Sequence, residues 1–225
     1  MSFRCRTPGA STFIEFEGSV LSASLNGDAL PGLEGGRLRL DRLAAENELT
    51  IKGVGNYSRD GTGINWFRDP VDGRTYLHSQ FAEHWTYRGF PCFDQPDLKA
   101  TFAFTVKAPA SWVVVSNGAG TKDAEGVWTF SKTSKLSTYI TAVVAGEFHS
   151  VHQDHRGIPL GLYCRQSLAE YLDRTRSSRS PARASTFSKD ASTTRIPLAS
   201  TTSSTCPSSP RARWRTPPAS PTTSG

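Results

Sequence analysis

Three closely spaced histidines are the first residues in this sequence that could do chemistry. His149, His152 and His155 are three residues apart, and Asp154 lies between the last two. Imidazole and carboxylate groups are common zinc ligands, so this spacing superficially suggests a metal site. The segment follows a predicted strand, however, and residues three apart in an extended chain point to opposite sides. We therefore favour a solvated strand end over a zinc site.

A second polar stretch surrounds Gln80, which stands between His78 and His84. The stretch is rich in aromatic residues and runs into a proline-bounded turn, so we expect a loop in which chemistry could sit. The two histidines are interpreted as loop residues that could line the rim of a cleft. The nearby aromatic residues expected in the core or at a domain interface are Trp66, Phe67 and Trp85.

The segment after this loop predicts an antiparallel strand over residues 98–107. Apolar and polar residues alternate there, which is typical of a strand with one buried face. The apolar residues are Ala100, Phe102, Phe104 and Val106. Residues 94–97 predict a turn, because Pro96 fixes its own φ and disfavours helix at Gln95. We expect the strand to hold the loop in place.

The remainder of residues 1–166 predicts an all-β domain. Many short strands separated by Gly, Asn and Pro are typical of a β-sandwich or a related layer. Asn26-Gly27 predicts a tight hairpin turn. The expected strands are 12–16, 20–25, 38–40, 48–51, 112–115, 126–130, 139–144 and 160–164.

The strand pattern stops at Ser167, where a helix is expected to start. Ser167 and Glu170 have the spacing of a capping box, in which each side chain binds an unpaired backbone N–H group. Leu168, Tyr171 and Leu172 begin an apolar stripe at helical spacing. We therefore assign residues 167–173 to the start of a helix.

Composition separates the chain into a mildly acidic part and a basic tail. Residues 1–173 carry 17 Lys and Arg against 19 Asp and Glu, whereas residues 174–225 carry nine against one. The net charge of +6 therefore comes from the tail and does not predict a nucleic-acid-binding domain. We see no secretory signal and no apolar run long enough to span a membrane. Four widely spaced cysteines suggest reduced thiols and a cytoplasmic location.

The sequence of residues 90–102 resembles a hallmark of one enzyme family. It is Phe-Pro-Cys-Phe-Asp-Gln-Pro-Asp-Leu-Lys-Ala-Thr-Phe. It is similar to the N-terminal domain of zinc aminopeptidases of the aminopeptidase N type, and most closely to the actinobacterial branch of these gluzincin metallopeptidases. The similarity runs from Phe3 to Asp173 and includes the upstream Gln80. It implies a saddle-shaped β-sandwich that covers a catalytic domain. Relatives carry further strands before Phe3, so the start is expected to be clipped.

The resemblance implies one site residue in this chain. In the family, the glutamine at the position of Gln80 reaches the site that holds the free amino terminus of the substrate. The family usually has Glu-Pro after Gln-Phe, whereas this chain has Ala82-Glu83. In the family, an H-E-x-x-H motif and a later glutamate hold zinc. This sequence contains no H-E-x-x-H motif. No catalytic residue and no metal ligand is therefore expected in this chain.

The tail, residues 174–225, predicts disorder, because its 52 residues include 13 Ser, 10 Thr, 7 Pro and 8 Arg. Codons that could encode it suggest that it is read out of frame. Residues 211–216 can be written CGG GCG CGA TGG AGA AC, and reading from the third base gives Gly-Ala-Met-Glu-Asn. That pentapeptide is the substrate-binding motif of the family. We therefore expect a frameshift near Asp173, with a natural disordered tail as the alternative.

Two functions from different classes follow. In the first, residues 1–166 are the non-catalytic substrate-capping domain of a zinc aminopeptidase that removes terminal residues from peptides. This chain would then be inactive alone and would meet peptides only through a missing catalytic domain, with no nucleic-acid or membrane partner. In the second, the chain is a β-sandwich binding module whose basic tail binds nucleic acid or anionic surfaces.

Overall fold

The computed structural model describes residues 1–172 as short strands and three 3-10 helices. The strands are β1 Ser2–Arg4, β2 Thr12–Glu15, β3 Gly18–Leu25, β4 Asp28–Ala29, β5 Arg37–Leu40, β6 Glu46–Gly55, β7 Tyr57–Ser58, β8 Gly63–Arg68, β9 Thr75–Gln80, β10 Thr105–Lys107, β11 Val113–Ser116, β12 Gly120–Lys122, β13 Val127–Phe130, β14 Val143–Gly146, β15 His149–His155 and β16 Ile158–Cys164. The 3-10 helices are Thr86–Arg88, Thr138–Ile140 and Gln166–Tyr171. The predicted all-β class is confirmed. The predicted tail, residues 174–225, lies outside the described residues.

The first half of the domain is built on a four-stranded sheet in the order β1-β6-β3-β4, beside the two-stranded sheet β2-β5. Inward-facing residues alternate along these strands, as expected for sheets with one buried face. They form a core around Ile14, Leu38 and Leu40, each of which is fully buried. Phe93, from the motif of residues 90–102, packs against this core.

The predicted hairpin turn between β3 and β4 is confirmed. Leu25 pairs with Asp28, which leaves Asn26 and Gly27 as a two-residue loop. Their φ angles are 55° and 93°. Asn and Gly accept such left-handed backbone more easily than other residues, which explains why this dipeptide makes the turn.

The second half contains a five-stranded sheet in the order β11-β14-β9-β8-β7 and a three-stranded sheet in the order β10-β13-β12. A second core fills the space around Val114, Phe130 and Ala145. Strand β9 lies in the middle of the five-stranded sheet, between β14 and β8. Pairing with β14 ends at His78, so the end of the strand at Gln80 is held by β8.

The strand predicted over residues 98–107 is only partly correct. Regular pairing is limited to β10, with one further bridge between Ala100 and Leu136. At Phe102 the backbone N–H donates to the Thr133 side-chain oxygen, so a hydroxyl replaces a ladder carbonyl. The predicted alternation holds from Phe102 to Val106, which are half-buried at every second position, but not at Ala100, which is exposed.

Two further boundaries differ from the sequence-based expectation. The strand expected over residues 139–144 begins only at Val143, because residues 138–140 form a 3-10 helix. The helix expected from Ser167 is a short 3-10 helix that begins at Gln166. Its predicted capping box is wrong, because the first residue before the helix is Arg165, no side chain caps the helix, and the Ser167 hydroxyl donates to Asp69. Leu168 and Tyr171, expected on an apolar helical stripe, are exposed.

The last two strands, β15 and β16, form a hairpin with each other. Within residues 1–172, no helix is long and apolar enough to cross a membrane.

Candidate functional site

Gln80 is the last residue of strand β9 and is exposed, rather than a loop residue as predicted. Side chains alternate along a strand, so Tyr76, His78 and Gln80 lie on one face of the five-stranded sheet. We call this surface the Gln80 face. Tyr76 is buried, whereas His78 and Gln80 are open to solvent. The strand therefore presents the Gln80 amide at the edge of a surface and leaves it free to bind another molecule.

Gly63 lies directly opposite Gln80 on strand β8. A Cβ atom at this position would lie 2.9 Å from the Cβ of Arg88, and Gly63 has a φ of 73°. Such a backbone conformation and so close an approach both require glycine. The segment after Gln80 can therefore pack directly onto the neighbouring strand.

The residues after Gln80 form a tight loop anchored by a buried aromatic ring. Phe81 is 3% exposed and packs edge-on against Phe90, with ring centroids 5.8 Å apart. The carbonyl oxygen of Phe81 accepts the Trp85 N–H at 3.0 Å. Ala82 has a φ of 31°, an unusual value for a residue with a side chain. The strained position is the one where this chain departs from the Glu-Pro of the family it resembles.

Asp94, from the predicted turn, fixes the middle of this loop. One of its carboxylate oxygens accepts the N–H groups of Thr86 and Tyr87, at 3.0 and 3.3 Å. Burial raises the pKa of Asp94, although these backbone hydrogen bonds act in the opposite direction. The carboxylate is therefore a structural acceptor for the 3-10 helix Thr86–Arg88.

Arg88 ties the same loop to two other parts of the domain. Its guanidinium group lies 3.1 Å from the Glu17 carboxylate and 3.0 Å from that of Asp60. Hydrogen bonds from Ser58 and Thr62, together with Arg88, lower the pKa of Asp60. Sequence reasoning missed this network. Its members are far apart in the chain, and only the position of Arg88 near the motif pointed to it.

Cys92 is a buried part of the motif rather than a reactive thiol. It is 3% exposed, and its backbone exchanges two hydrogen bonds with that of Glu15, at 3.0 and 3.1 Å. Burial, and then the nearby carboxylates of Asp94 and Glu15, raise the pKa of its thiol. A thiol that stays protonated is a poor nucleophile, so Cys92 serves packing.

The histidines singled out in the sequence are placed separately. His78 is exposed on the Gln80 face, and His84 is exposed in the following loop. On strand β15, His149 is half-buried, while His152 is exposed and packs edge-on against Tyr163, with ring centroids 5.5 Å apart. Within residues 1–172, no group of three or more His, Cys, Asp or Glu side chains could hold a metal ion.

The three aromatic residues expected in the core or at an interface are placed at the surface to different degrees. Trp66 is half-buried under the Arg59 guanidinium, 3.9 Å from the ring centroid. Phe67 and Trp85 are each 42% exposed. Trp66 pairs with Leu77 and so lies on the opposite side of the sheet from Gln80, whereas Phe67 pairs with Tyr76 on the Gln80 face. The site as a whole is thus an exposed amide at a strand end. Such a surface binds through hydrogen bonds and contact area, and its side chains do not form a nucleophile–base pair.

The chain matches known proteins over this region. Residues 38–140 match the family model of the peptidase M1 N-terminal domain. Aminopeptidase N from Streptomyces lividans is 43% identical over 174 residues, which is 73% of this chain and 20% of that protein. Aminopeptidase N from Acetobacter pasteurianus is 38% identical over 99 residues, which is 42% of this chain and 28% of that protein.

A human protein shows the same similarity at greater distance. Human aminopeptidase Q is 35% identical over 117 residues, covering 48% of this chain and 12% of that protein. The chain thus spans less than a third of the length of each of these three relatives.

Proposed function

The chain carries a peptidase M1 N-terminal domain, and from that premise we propose that it is the substrate-capping part of a zinc-dependent aminopeptidase. In this role Gln80 contacts the free amino terminus of a peptide, and the chain itself supplies no catalytic residue. The observation that supports this role most directly is that Gln80 is exposed at the end of strand β9. An amide oxygen accepts hydrogen bonds from an ammonium group, so this residue suits a terminal amine.

The loop after Gln80 supports the same role. Arg88, Asp94 and buried Phe81 hold it against the strands, so little conformational entropy is lost when a ligand binds beside it. Ala82 and Glu83 replace the Glu-Pro of the family. We infer that contacts beyond Gln80 differ from those of relatives that keep Glu-Pro.

Zinc is the cofactor that this reading implies for the complete enzyme. Residues 1–172 do not fit it, because they bring no three ligating side chains together. No step of the proposed role therefore runs through zinc. We assign the metal to the part of the relatives that this chain does not match.

We also propose that residues 174–225 are translated out of frame. The support is codon arithmetic: a shift of one base lets residues 211–216 encode the pentapeptide Gly-Ala-Met-Glu-Asn. Reading the nucleotides beyond codon 173 tests this. A shifted frame without the pentapeptide would disprove the frameshift while leaving the role of Gln80 open.

A cytoplasmic location stays a prediction.

An activity assay tests the capping role. We expect the 225-residue chain to leave aminoacyl-arylamide substrates intact. The gene with its frame restored should give hydrolysis that chelators abolish, and Gln80→Ala in that enzyme should raise KM for substrates with a free amine. A restored enzyme that cuts only internal peptide bonds would refute the proposal.

The same preparation tests the alternative role as a binding module. Salt-sensitive binding to heparin that disappears when residues 174–225 are removed would favour that role over an aminopeptidase fragment.

A further inference from the structure

Two aspartates stabilise the turn that joins strands β8 and β9. Asp69 is 1% exposed, and its Oδ1 atom accepts the Val71 N–H at 2.9 Å. Asp72 uses its own Oδ1 atom to accept the Arg74 N–H at 2.8 Å. Each carboxylate thus holds the turn with one oxygen and has a second oxygen for a partner elsewhere.

The second oxygens bind a segment 95 to 98 residues further along the chain. Oδ2 of Asp69 accepts hydrogen bonds from Arg165 Nη1 at 2.9 Å and from the Ser167 hydroxyl at 2.6 Å. Oδ2 of Asp72 accepts the Ser167 N–H at 3.0 Å. Three donors from residues 165–167 therefore converge on the two carboxylates.

Tyr76 connects this cluster to the Gln80 face. Its hydroxyl donates to Asp72 Oδ2 at 2.8 Å and accepts the Gln166 N–H at 3.0 Å. Tyr76 and Gln80 lie four residues apart on the same side of strand β9, which is about 13 Å along a strand. Residues 165–167 are therefore held on the side of the sheet that presents Gln80.

Backbone pairing does not explain how this segment is fixed. Residues 165–167 follow the hairpin β15-β16. In the part of the chain that the structure describes, these two strands pair with each other and join no larger sheet. The hydrogen bonds to Asp69 and Asp72 supply the missing attachment. Because the Asp69 side chain is almost fully buried, losing its partners would leave a costly unpaired charge.

We propose that Asp69 and Asp72 form a clamp that fixes where the polypeptide leaves the strands. By holding residues 165–167, this clamp starts the following part of the chain on the Gln80 face. Asp69 and Asp72 are positioning residues in this inference and touch no substrate. The inference rests on contacts within residues 1–172 and stands whether or not the chain serves an aminopeptidase.

Hydrogen exchange on the 225-residue chain, followed by mass spectrometry, tests the clamp. The variant Arg165→Gln/Ser167→Ala removes the Arg165 guanidinium, with its charge, and the Ser167 hydroxyl without touching the turn. Because these hydrogen bonds join the segment to buried carboxylates, amides of residues 166–172 should exchange at least about tenfold faster when the bonds are lost. Exchange in strands β8 and β9 should stay unchanged.

Two further variants complete the experiment. Asp69→Asn should also accelerate exchange in residues 166–172, because one carboxylate oxygen is replaced by an NH2 group facing the donors. Asp41→Asn is the matched control, since Asp41 pairs with Arg39 at 2.9 Å on an exposed surface. It should leave residues 166–172 as in the wild type.

Exchange within twofold of wild type in the Arg165→Gln/Ser167→Ala variant would overturn the clamp. If Asp69→Asn does not fold, that double variant decides alone, because its substitutions lie outside the turn. Equal acceleration throughout β8, β9 and residues 166–172 would also overturn it, since the change would then be global.

Discussion

Asp69 and Asp94 are both partly or fully buried aspartates, yet their surroundings shift their pKa values in opposite directions. A hydrogen bond from the Ser167 hydroxyl, followed by the Val71 N–H, lowers the pKa of Asp69. Burial raises the pKa of Asp94 despite its bonds to Tyr87 and Thr86. The two residues should therefore make opposite contributions to the pH dependence of stability.

For Asp69 the expected result is a loss of stability in acid. Because its pKa is lowered in the folded state, its contribution is present above the ordinary carboxyl pKa of about 4 and is lost as pH falls through the lowered value. The stability difference between wild type and Asp69→Asn should be larger at pH 7 than at pH 3. Urea unfolding at both pH values measures it, with Asp28→Asn at an exposed position as control. An equal difference at both pH values would contradict the assignment.

For Asp94 two substitutions should separate the hydrogen bonds from the charge. Asp94→Ala leaves the N–H groups of Thr86 and Tyr87 without an acceptor, which should cost about 1–3 kcal/mol. Asp94→Asn keeps an acceptor oxygen and removes a charge whose burial raises the pKa, so its cost at pH 7 should stay below about 1 kcal/mol. Urea unfolding compares the two. A variant Asp94→Asn as unstable as Asp94→Ala would show that the negative charge itself is needed.

At the level of strands and turns, local sequence patterns predicted those features that are determined by residues adjacent in the chain. The hairpin at Asn26-Gly27 was predictable because its backbone angles require just those residue types. Alternation found the half-buried side chains of Phe102, Phe104 and Val106, but not the exposure of Ala100. It could not find where regular pairing begins, because that depends on the Thr133 side chain, which takes the place of a ladder carbonyl at Phe102.

The sequence likewise predicted the position of the candidate site but not the contacts around it. The motif located Gln80, but the contacts that fix its surroundings join residues distant in sequence. Arg88 reaches Asp60 across 28 residues and Glu17 across 71. The expected capping box failed for the same reason, since Ser167 binds Asp69, 98 residues away. Local spacing carries no information about such partners.

The turn between β3 and β4 gives a prediction for a single element. Gly27→Ala should destabilise the domain by about 1 kcal/mol, because a φ of 93° is unfavourable for a residue with a side chain. Steric clash does not contribute, since nothing lies within 4 Å of the added Cβ. Gly32→Ala is the matched control, with the same open space and no left-handed φ. Thermal unfolding compares them, and equal shifts in Tm would show that the turn conformation does not matter.

For the molecule as a whole, the pattern of short strands and turns predicted the all-β class but not where apolar surface would remain. Val71 and Tyr171 are 80% and 74% exposed, the largest values among the exposed apolar side chains of residues 1–172. They flank the clamp, because Val71 belongs to its turn and Tyr171 follows Ser167 in the 3-10 helix. Phe67, which is 42% exposed, contacts the clamp, since the Arg165 guanidinium lies 5.3 Å from its ring centroid. The surface beside the clamp thus carries the two most exposed large apolar side chains of residues 1–172.

This surface should govern the self-association of the chain in solution. Grouped apolar side chains favour association, so Val71→Lys/Tyr171→Lys should lower both dye binding by exposed apolar surface and concentration-dependent light scattering. The matched control is Leu21→Lys/Val54→Lys, since these residues are 62% and 56% exposed but lie on strands β3 and β6, in the first half of the domain. The control should leave scattering close to wild type. If both double variants reduce scattering equally, association follows total apolar exposure rather than the surface beside the clamp.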